Sequence, residues 1–204
     1  MNGPLLAIET AIGGGSIAVL SSAAGTRTIL SRLNVARADK LLVEISGVLD
    51  ESRLTPTDLG LIAVSLGPGS FTGMRIGIAT ATGLAAALRI KCIGVTATEA
   101  MLERSLTKAE TICAVPIAKD LVCMHTFDSD QSEICQPTVV SRDEFKKEVE
   151  RGVQVIAHHQ LVQEMGSAVD NLIDAGEDIA ALVGERAVRT GTTTLSPVFA
   201  RSHK

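Results

Sequence analysis

The 204-residue chain has no tryptophan, no tyrosine and only four phenylalanines. Proteins hold single-stranded bases largely by stacking them on aromatic rings, so this chain is not built to read a nucleic-acid strand by itself. Cationic excess is missing too: 19 Lys and Arg stand against 23 Asp and Glu, a net charge of −4. Binding to a phosphate backbone needs clustered cations, and any role with RNA is therefore expected to be indirect. Cysteine is scarce and badly spaced for chemistry. Cys92, Cys113, Cys123 and Cys135 are separated by 20, 9 and 11 intervening residues, which is neither a CxxC pair nor a zinc spacing, and they read as reduced core thiols. The four histidines, His125, His158, His159 and His203, include no His-x-x-x-His pair, and no metal site is expected. The start, MNGPLLAIETAIGG, has no basic region and only a short apolar stretch, which reads as a cytoplasmic protein. Arg75 and Arg89 bracket an apolar run of 13 residues, below the roughly 20 that span a bilayer. That run is expected to be a buried helix, with no membrane involved.

Glycine, by contrast, is concentrated where it says most. Residues 65–83 read SLGPGSFTGMRIGIATATG. Gly67, Pro68 and Gly69 interrupt the apolar run Leu61–Val64 and mark a tight strand-to-helix turn, after which Ser70 or Thr72 can cap the helix. From Thr72 to Leu88 small residues recur every fourth position on two stripes, Gly73, Gly77, Ala81 and Ala79, Gly83, Ala87. Each interior glycine costs about 1 kcal/mol relative to alanine. Close approach of another backbone would offset that cost, whether from this chain or from a partner.

The pattern elsewhere predicts strands over Leu5–Ile8, Ser16–Leu20 and Thr26–Leu33, the first two joined as a hairpin across Gly13–Gly15. A helix over Asp39–Ser52, capped by Asp39, has Leu41, Leu42, Ile45, Val48 and Leu49 at helical spacing. Strands at Leu61–Ser65 and Lys91–Val95 flank the small-residue helix, for an order βββαβαβ. Beyond it the reading predicts a helix over Ala97–Leu106, strands near Thr111–Ile117, Leu121–Phe127, Ile134–Val140 and Val153–Ala157, and helices over Arg142–Arg151 and Glu177–Arg189. The fold class is α/β with two lobes of mixed sheet: residues 1–106, to which a helix at 177–190 returns, a smaller, less regular lobe at 107–176, and a tail at 191–204.

LLAIETAIGGGSIAVL, SLGPGSFTGMRIGIATATGLAAAL, IGVTATEAM and SPVFAR, in that order, resemble the TsaB (YeaZ) family of tRNA threonylcarbamoyladenosine (t6A) biosynthesis proteins. The resemblance is strongest over 62–100 and general over 107–191. It implies an actin-like ATPase (ASKHA) fold and a non-catalytic role: a helper of the catalytic subunit TsaD, which transfers threonylcarbamoyl to N6 of adenosine 37 in tRNAs reading ANN codons. It further implies contact through the helices at 39–52 and 72–88, the ATPase TsaE as a further partner, tRNA contact only through the complex, and ATP or ADP, if any, at the interface with TsaD. On that implication the seam is Leu41, Leu42 and Ile45 from one helix with Gly73, Arg75, Ile76, Gly77, Thr80, Gly83 and Leu84 from the other. A bulky residue at Gly77 would then block docking while leaving the fold intact. The same helices would close a homodimer when the partner is absent.

Other chemistry stays open at this point. Glu9 and Thr10, with Gly69 and Ser70, are candidate phosphate-loop residues of a stand-alone phospho- or acyltransferase, against which Glu9 reads as a turn carboxylate bonded to nearby N–H groups. Ser70 has the position of a nucleophile elbow without the GxSxG context, and a glycoprotease-like peptidase would need a base for it. The family more often has Asp-Thr-Ser where this chain has Glu9-Thr10, His-Ser where it has Ala38-Asp39, and Asp-Ala-Arg where it has Ala118-Lys119-Asp120.

Overall fold

A computed structural model describes residues 3–23, 26–166, 169–190 and 194–202. His203 and parts of the tail therefore lie outside the described residues. The first sheet contains β1 (Leu5–Glu9), β2 (Ser16–Ala23), β3 (Thr26–Leu33), β4 (Leu61–Ser65) and β5 (Lys91–Val95) in the order β3-β2-β1-β4-β5. β1, β2 and β3 form an antiparallel meander, while β4 and β5 add in parallel. The parallel connections carry α1 (Leu41–Glu51) and α2 (Phe71–Leu88), and α3 (Ala97–Met101) follows β5. Central strands covered on both faces must be apolar throughout, which is why β1 reads LLAIE and is buried at every position.

The alternation of side chains divides that sheet between two cores. Leu6, Ile8, Ile17, Val19, Ile62 and Val64 face Leu41, Ile45, Val48 and Leu49 of α1 and Ala81 and Ala85 of α2. Leu5, Ala7, Ala18, Leu20 and Ala63 point the other way, into a core shared with α3 and α6 (Ile179–Thr190). Gly184 of α6 leaves room for the side chains of Leu20 and Leu5, so this helix packs closely on β1 and β2.

A second sheet is built from β6 (Thr111–Ala118), β7 (Leu121–Phe127), β8 (Thr138–Ser141), β9 (Gln154–Ala157), β10 (Leu172–Asp174) and β11 (Arg201–Ser202), in the order β10-β9-β6-β7-β8-β11. α4 (Arg142–Glu150) and α5 (His159–Met165) cover one face through Phe145, Val149 and Leu161. Cys113, Val115, Cys123 and Ile156 face the core that contains α6, so the two sheets share one apolar interior.

Several expectations need correction. Asp39 does not cap α1: it pairs with Arg37, and Lys40 stands at the cap position without a capping bond. Strand over Ile134–Val140 shrinks to Thr138–Ser141, because Asp128 accepts the amides of Asp130 and Ser132 and curls the preceding segment into a loop. α5 and β10 were not anticipated; α5 has seven residues and a single fully buried one, Leu161, too few for periodicity to register. α2 is long and apolar enough to cross a membrane, but it is not buried all round. One edge lies on the sheet and the opposite edge faces outward.

Candidate docking face and interlobe cleft

The two stripes of α2 have different fates. Gly73, Gly77, Ala81 and Ala85 are buried, and a Cβ on Gly73 would overlap the carbonyl of Thr10, one on Gly77 the Thr10 hydroxyl. Thr10 Oγ1 donates to the carbonyl oxygen of Gly73 at 2.7 Å, and Ser70 N donates to Ala11 O at 2.8 Å. Gly69 is bare for the same reason, since a Cβ there would meet Ala11 O at 2.6 Å. Gly69, Gly73 and Gly77 are thus the socket for the residues at the end of β1. They are not part of an external seam, and a bulky residue at Gly77 cannot leave the fold intact.

Leu41 and Ile45 belong to the interior as well, at 1% and 4% exposure, whereas their neighbours Leu42 and Val43 are 58% and 68% exposed. Arg75 and Gly83 face solvent, and Ile76, Thr80 and Leu84 are half-buried. The outer stripe of α2 runs Phe71, Arg75, Ala79, Gly83 and Ala87, all exposed, and nothing lies within 4 Å of where a Gly83 Cβ would be. Leu84 and Leu88 of α2 line a small apolar groove with Leu42, Ile45 and Leu49 of α1, so the two helices present one continuous surface. Of the seam residues that the resemblance implies, Leu41, Ile45, Gly73 and Gly77 are therefore buried, while Leu42, Arg75 and Gly83 are exposed, as are Val43, Ala79 and Ala87 beside them.

The opposite end of α2 opens on a cleft of about 420 Å³ between the lobes. Thr10, Gly13, Gly14, Ser70, Thr72 and Gly73 line it from the first lobe, Ile117, Ala118, Lys119 and Gln160 from the second. Ser70 Oγ caps α2 by accepting from Gly73 N at 3.2 Å, and no hydrogen bond joins it to a histidine or carboxylate among the described residues. Glu9 is absent from the cleft wall. Its Oε1 accepts from the amides of Ala11 at 2.5 Å and Ile12 at 3.1 Å, the turn-carboxylate arrangement. Complete burial pushes its carboxyl up to about 8 despite those bonds.

The histidines are also accounted for. His125 bridges Thr98 Oγ1 through Nδ1 at 2.8 Å and Glu133 through Nε2 at 3.0 Å, and burial lowers its pKa. His158 is buried against Gly13, accepts from Gln160 N at the start of α5, and is likewise lowered by burial. His159 is raised by its 2.6 Å bond to Asp174. No group of three metal-ligating side chains occurs among the described residues. Burial pushes Cys92 up to about 11 and Cys123 to about 12, so neither thiol is activated.

Comparison with known proteins agrees with this architecture. A family profile described as TsaD, tRNA N6-adenosine threonylcarbamoyltransferase, matches residues 35–125. The tRNA threonylcarbamoyladenosine biosynthesis protein TsaB of Buchnera aphidicola subsp. Schizaphis graminum is 32% identical over 111 residues, covering 53% of this chain and 51% of that protein. TsaB of Escherichia coli is 32% identical over 107 residues, 51% of this chain and 45% of the relative. Over these stretches the chain is similar to TsaB proteins. The chain spans about half the length of the curated TsaB relatives it matches. The solved structure of YeaZ from Pseudomonas aeruginosa superposes with a TM-score of 0.64 at 22% identity over 96% of this chain and 99% of the other, and shows the same two-lobe, actin-like fold.

Phe199 and Val43 are surface residues that the sequence reading passed over. A signal for Phe199 was available: in a chain with four phenylalanines, one near the end is conspicuous. For Val43 there was none, because it differs from the buried positions of α1 only by its phase on the helix.

Proposed function

We propose that this chain is a cytoplasmic, non-catalytic docking subunit for t6A synthesis, which offers α1 and the outer stripe of α2 to the helices of a TsaD-type threonylcarbamoyltransferase and leaves the chemistry to that partner. The observation that carries the reading is the outer stripe itself. Ala79, Gly83 and Ala87 stay bare and exposed beside Leu42 and Val43, although glycine at an open helical site costs stability and, among the described residues, nothing fills the space at Gly83. A foreign helix lying flush on that stripe would use it. Adenosine 37 would then meet this chain only through the complex, in keeping with its net negative charge and lack of exposed tryptophan and tyrosine. A nucleotide, ATP or ADP, would sit at the interface with TsaD, and the ATPase TsaE would complete the assembly. Without its partner, the same face would pair with a second copy.

The stand-alone transferase and peptidase readings are less well supported. Glu9 is turned into the β1–β2 turn and Ser70 is engaged as a cap. The deciding experiment is a t6A modification assay on unmodified tRNA containing TsaD, TsaE and the adenylate-forming enzyme, with and without this chain. Modification is expected to depend on the chain; an undiminished yield without it would overturn the proposal.

A further inference from the structure

Two of the four phenylalanines, Phe127 and Phe145, are core residues at 1% and 2% exposure. The other two, Phe71 and Phe199, are 52% and 53% exposed, and they touch. Their rings are 5.6 Å apart at a 34° tilt, and the Arg75 guanidinium lies over the Phe71 ring, 4.6 Å from its centre. Phe71 and Arg75 open the outer stripe that continues through Ala79, Gly83 and Ala87. Phe199 comes from the far end of the chain, held there by Val198 N donating to Leu66 O at 2.8 Å, by Leu195 and Val198 packing beside the α1–α2 core, and by β11 pairing with β8.

The electrostatics of this cluster are one-sided. Residues 59–98 and 186–204, the segments that build it, contain no Asp or Glu in a chain whose net charge is −4. Arg75 has no carboxylate within ion-pair distance among the described residues; its recorded contact is the Phe71 ring. A guanidinium stacked on an aromatic face is pre-oriented and presents its N–H edge outward, the geometry that suits bidentate pairing with a carboxylate. Aromatic residues and arginine beside a small-residue surface are also the composition of interface hot spots. A phosphate backbone would call for clustered cations, and α2 carries Arg75 alone over Phe71–Leu88.

From this we infer that Phe71, Arg75 and Phe199 form the anchor of the docking face, and that the partner helix brings an apolar side chain against the two rings and a carboxylate to Arg75. The tail segment is thereby part of the interface. The inference rests on the docking reading and adds to it which end of α2 holds the partner and by what chemistry.

The test is calorimetric titration of the full chain with the TsaD subunit of the same organism at two salt concentrations, together with tRNA filter binding. Phe199→Ala and Arg75→Gln are each expected to weaken binding about tenfold. Arg75→Gln should also flatten the salt dependence, which Arg75→Lys should keep, a distinction that a purely structural role would not produce. Arg75 is exposed, so Arg75→Gln is expected to fold normally. Wild-type affinity and salt slope in Arg75→Gln would overturn the inference, as would a loss confined to tRNA binding. The docking reading is tested separately: it survives those results if Gly83→Leu still weakens the complex, and it falls, with the inference, if the wild-type chain does not bind TsaD.

Discussion

The inner and outer edges of α2 carry nearly the same residues and do opposite things. Gly73 and Gly77 are bare because the residues at the end of β1 occupy the space, with the Thr10 hydroxyl hydrogen-bonded to a carbonyl of the helix, and Ala81 and Ala85 continue that edge into the core. Ala79, Gly83 and Ala87 are exposed, and among the described residues nothing lies within 4 Å of where a Gly83 Cβ would be. Small residues alone therefore do not identify an interface. What separates the two edges is whether the same polypeptide already fills the gap, and a sequence reveals that only when the filling segment can be recognised. Here the filler was in view as Glu9-Thr10-Ala11, but its contact with residues more than sixty positions away follows from β1 and β4 being parallel neighbours, not from any local pattern.

The sharpest way to break the comparison is Gly73→Ala. A methyl at that position collides with backbone, which cannot move aside as a flexible side chain can, so a loss of about 3 kcal/mol or more is expected by urea denaturation. A variant as stable as the wild type would mean that β1 and α2 are not in contact as described.

Next in size is the pH dependence of the same corner. With its carboxyl near 8 in the folded protein and 4.5 when unfolded, Glu9 binds a proton in the native state over an interval where the unfolded chain has released it. Its contribution is fully present below about 4.5, declines as pH rises toward 8, and falls no further above that. The decline should be on the order of 1 kcal/mol per pH unit. Glu9→Gln, which can present a carbonyl oxygen to the amides of Ala11 and Ile12, should lose most of that slope. Denaturation midpoints at several pH values between 5 and 8 measure it, and a flat wild-type profile would contradict the burial of an ionisable carboxyl here.

The smallest effect, and the most discriminating, belongs to the outer edge. Gly83→Ala removes a helix-interior glycine at an open site and should stabilise the isolated chain by about 0.5–1 kcal/mol. Gly83→Leu should also leave the isolated chain folded, while weakening binding to TsaD at least tenfold because the added bulk props the partner helix away. Opposite signs for stability and binding at one residue would distinguish an interface from a core. Equal affinity of Gly83→Leu and the wild type would remove the outer edge from the docking face.

Much of the first lobe was legible from pattern alone. β3, β4 and β5 end where the alternation and turn residues predict, as does β7 in the second lobe, and Ser70 caps α2 as its position suggests. The exposed face of α1 and α2 was legible only in part. Helical spacing groups Leu41, Leu42 and Ile45 on one side of α1, yet the helix is rotated so that the first and third reach the sheet and Leu42 with Val43 does not. An eleven-residue helix with six clustered apolar positions does not fix its own rotation to within one residue; the sheet beneath it does. Phe199 is conspicuous in a chain with four phenylalanines, but its place beside Phe71 was not legible locally, since it depends on the tail crossing from one lobe to the other.

That crossing also bears on the cleft. Segment 194–202 leans on the first lobe at Leu66 and ends as a strand on the outer rim of the second sheet, beside Thr138 and Val139. The lobes are consequently tied by a tether only a few residues long, with Phe199 riding on it. Any hinge motion that spreads Ser70 and Lys119 apart has to drag this tether with it or peel away one of its ends.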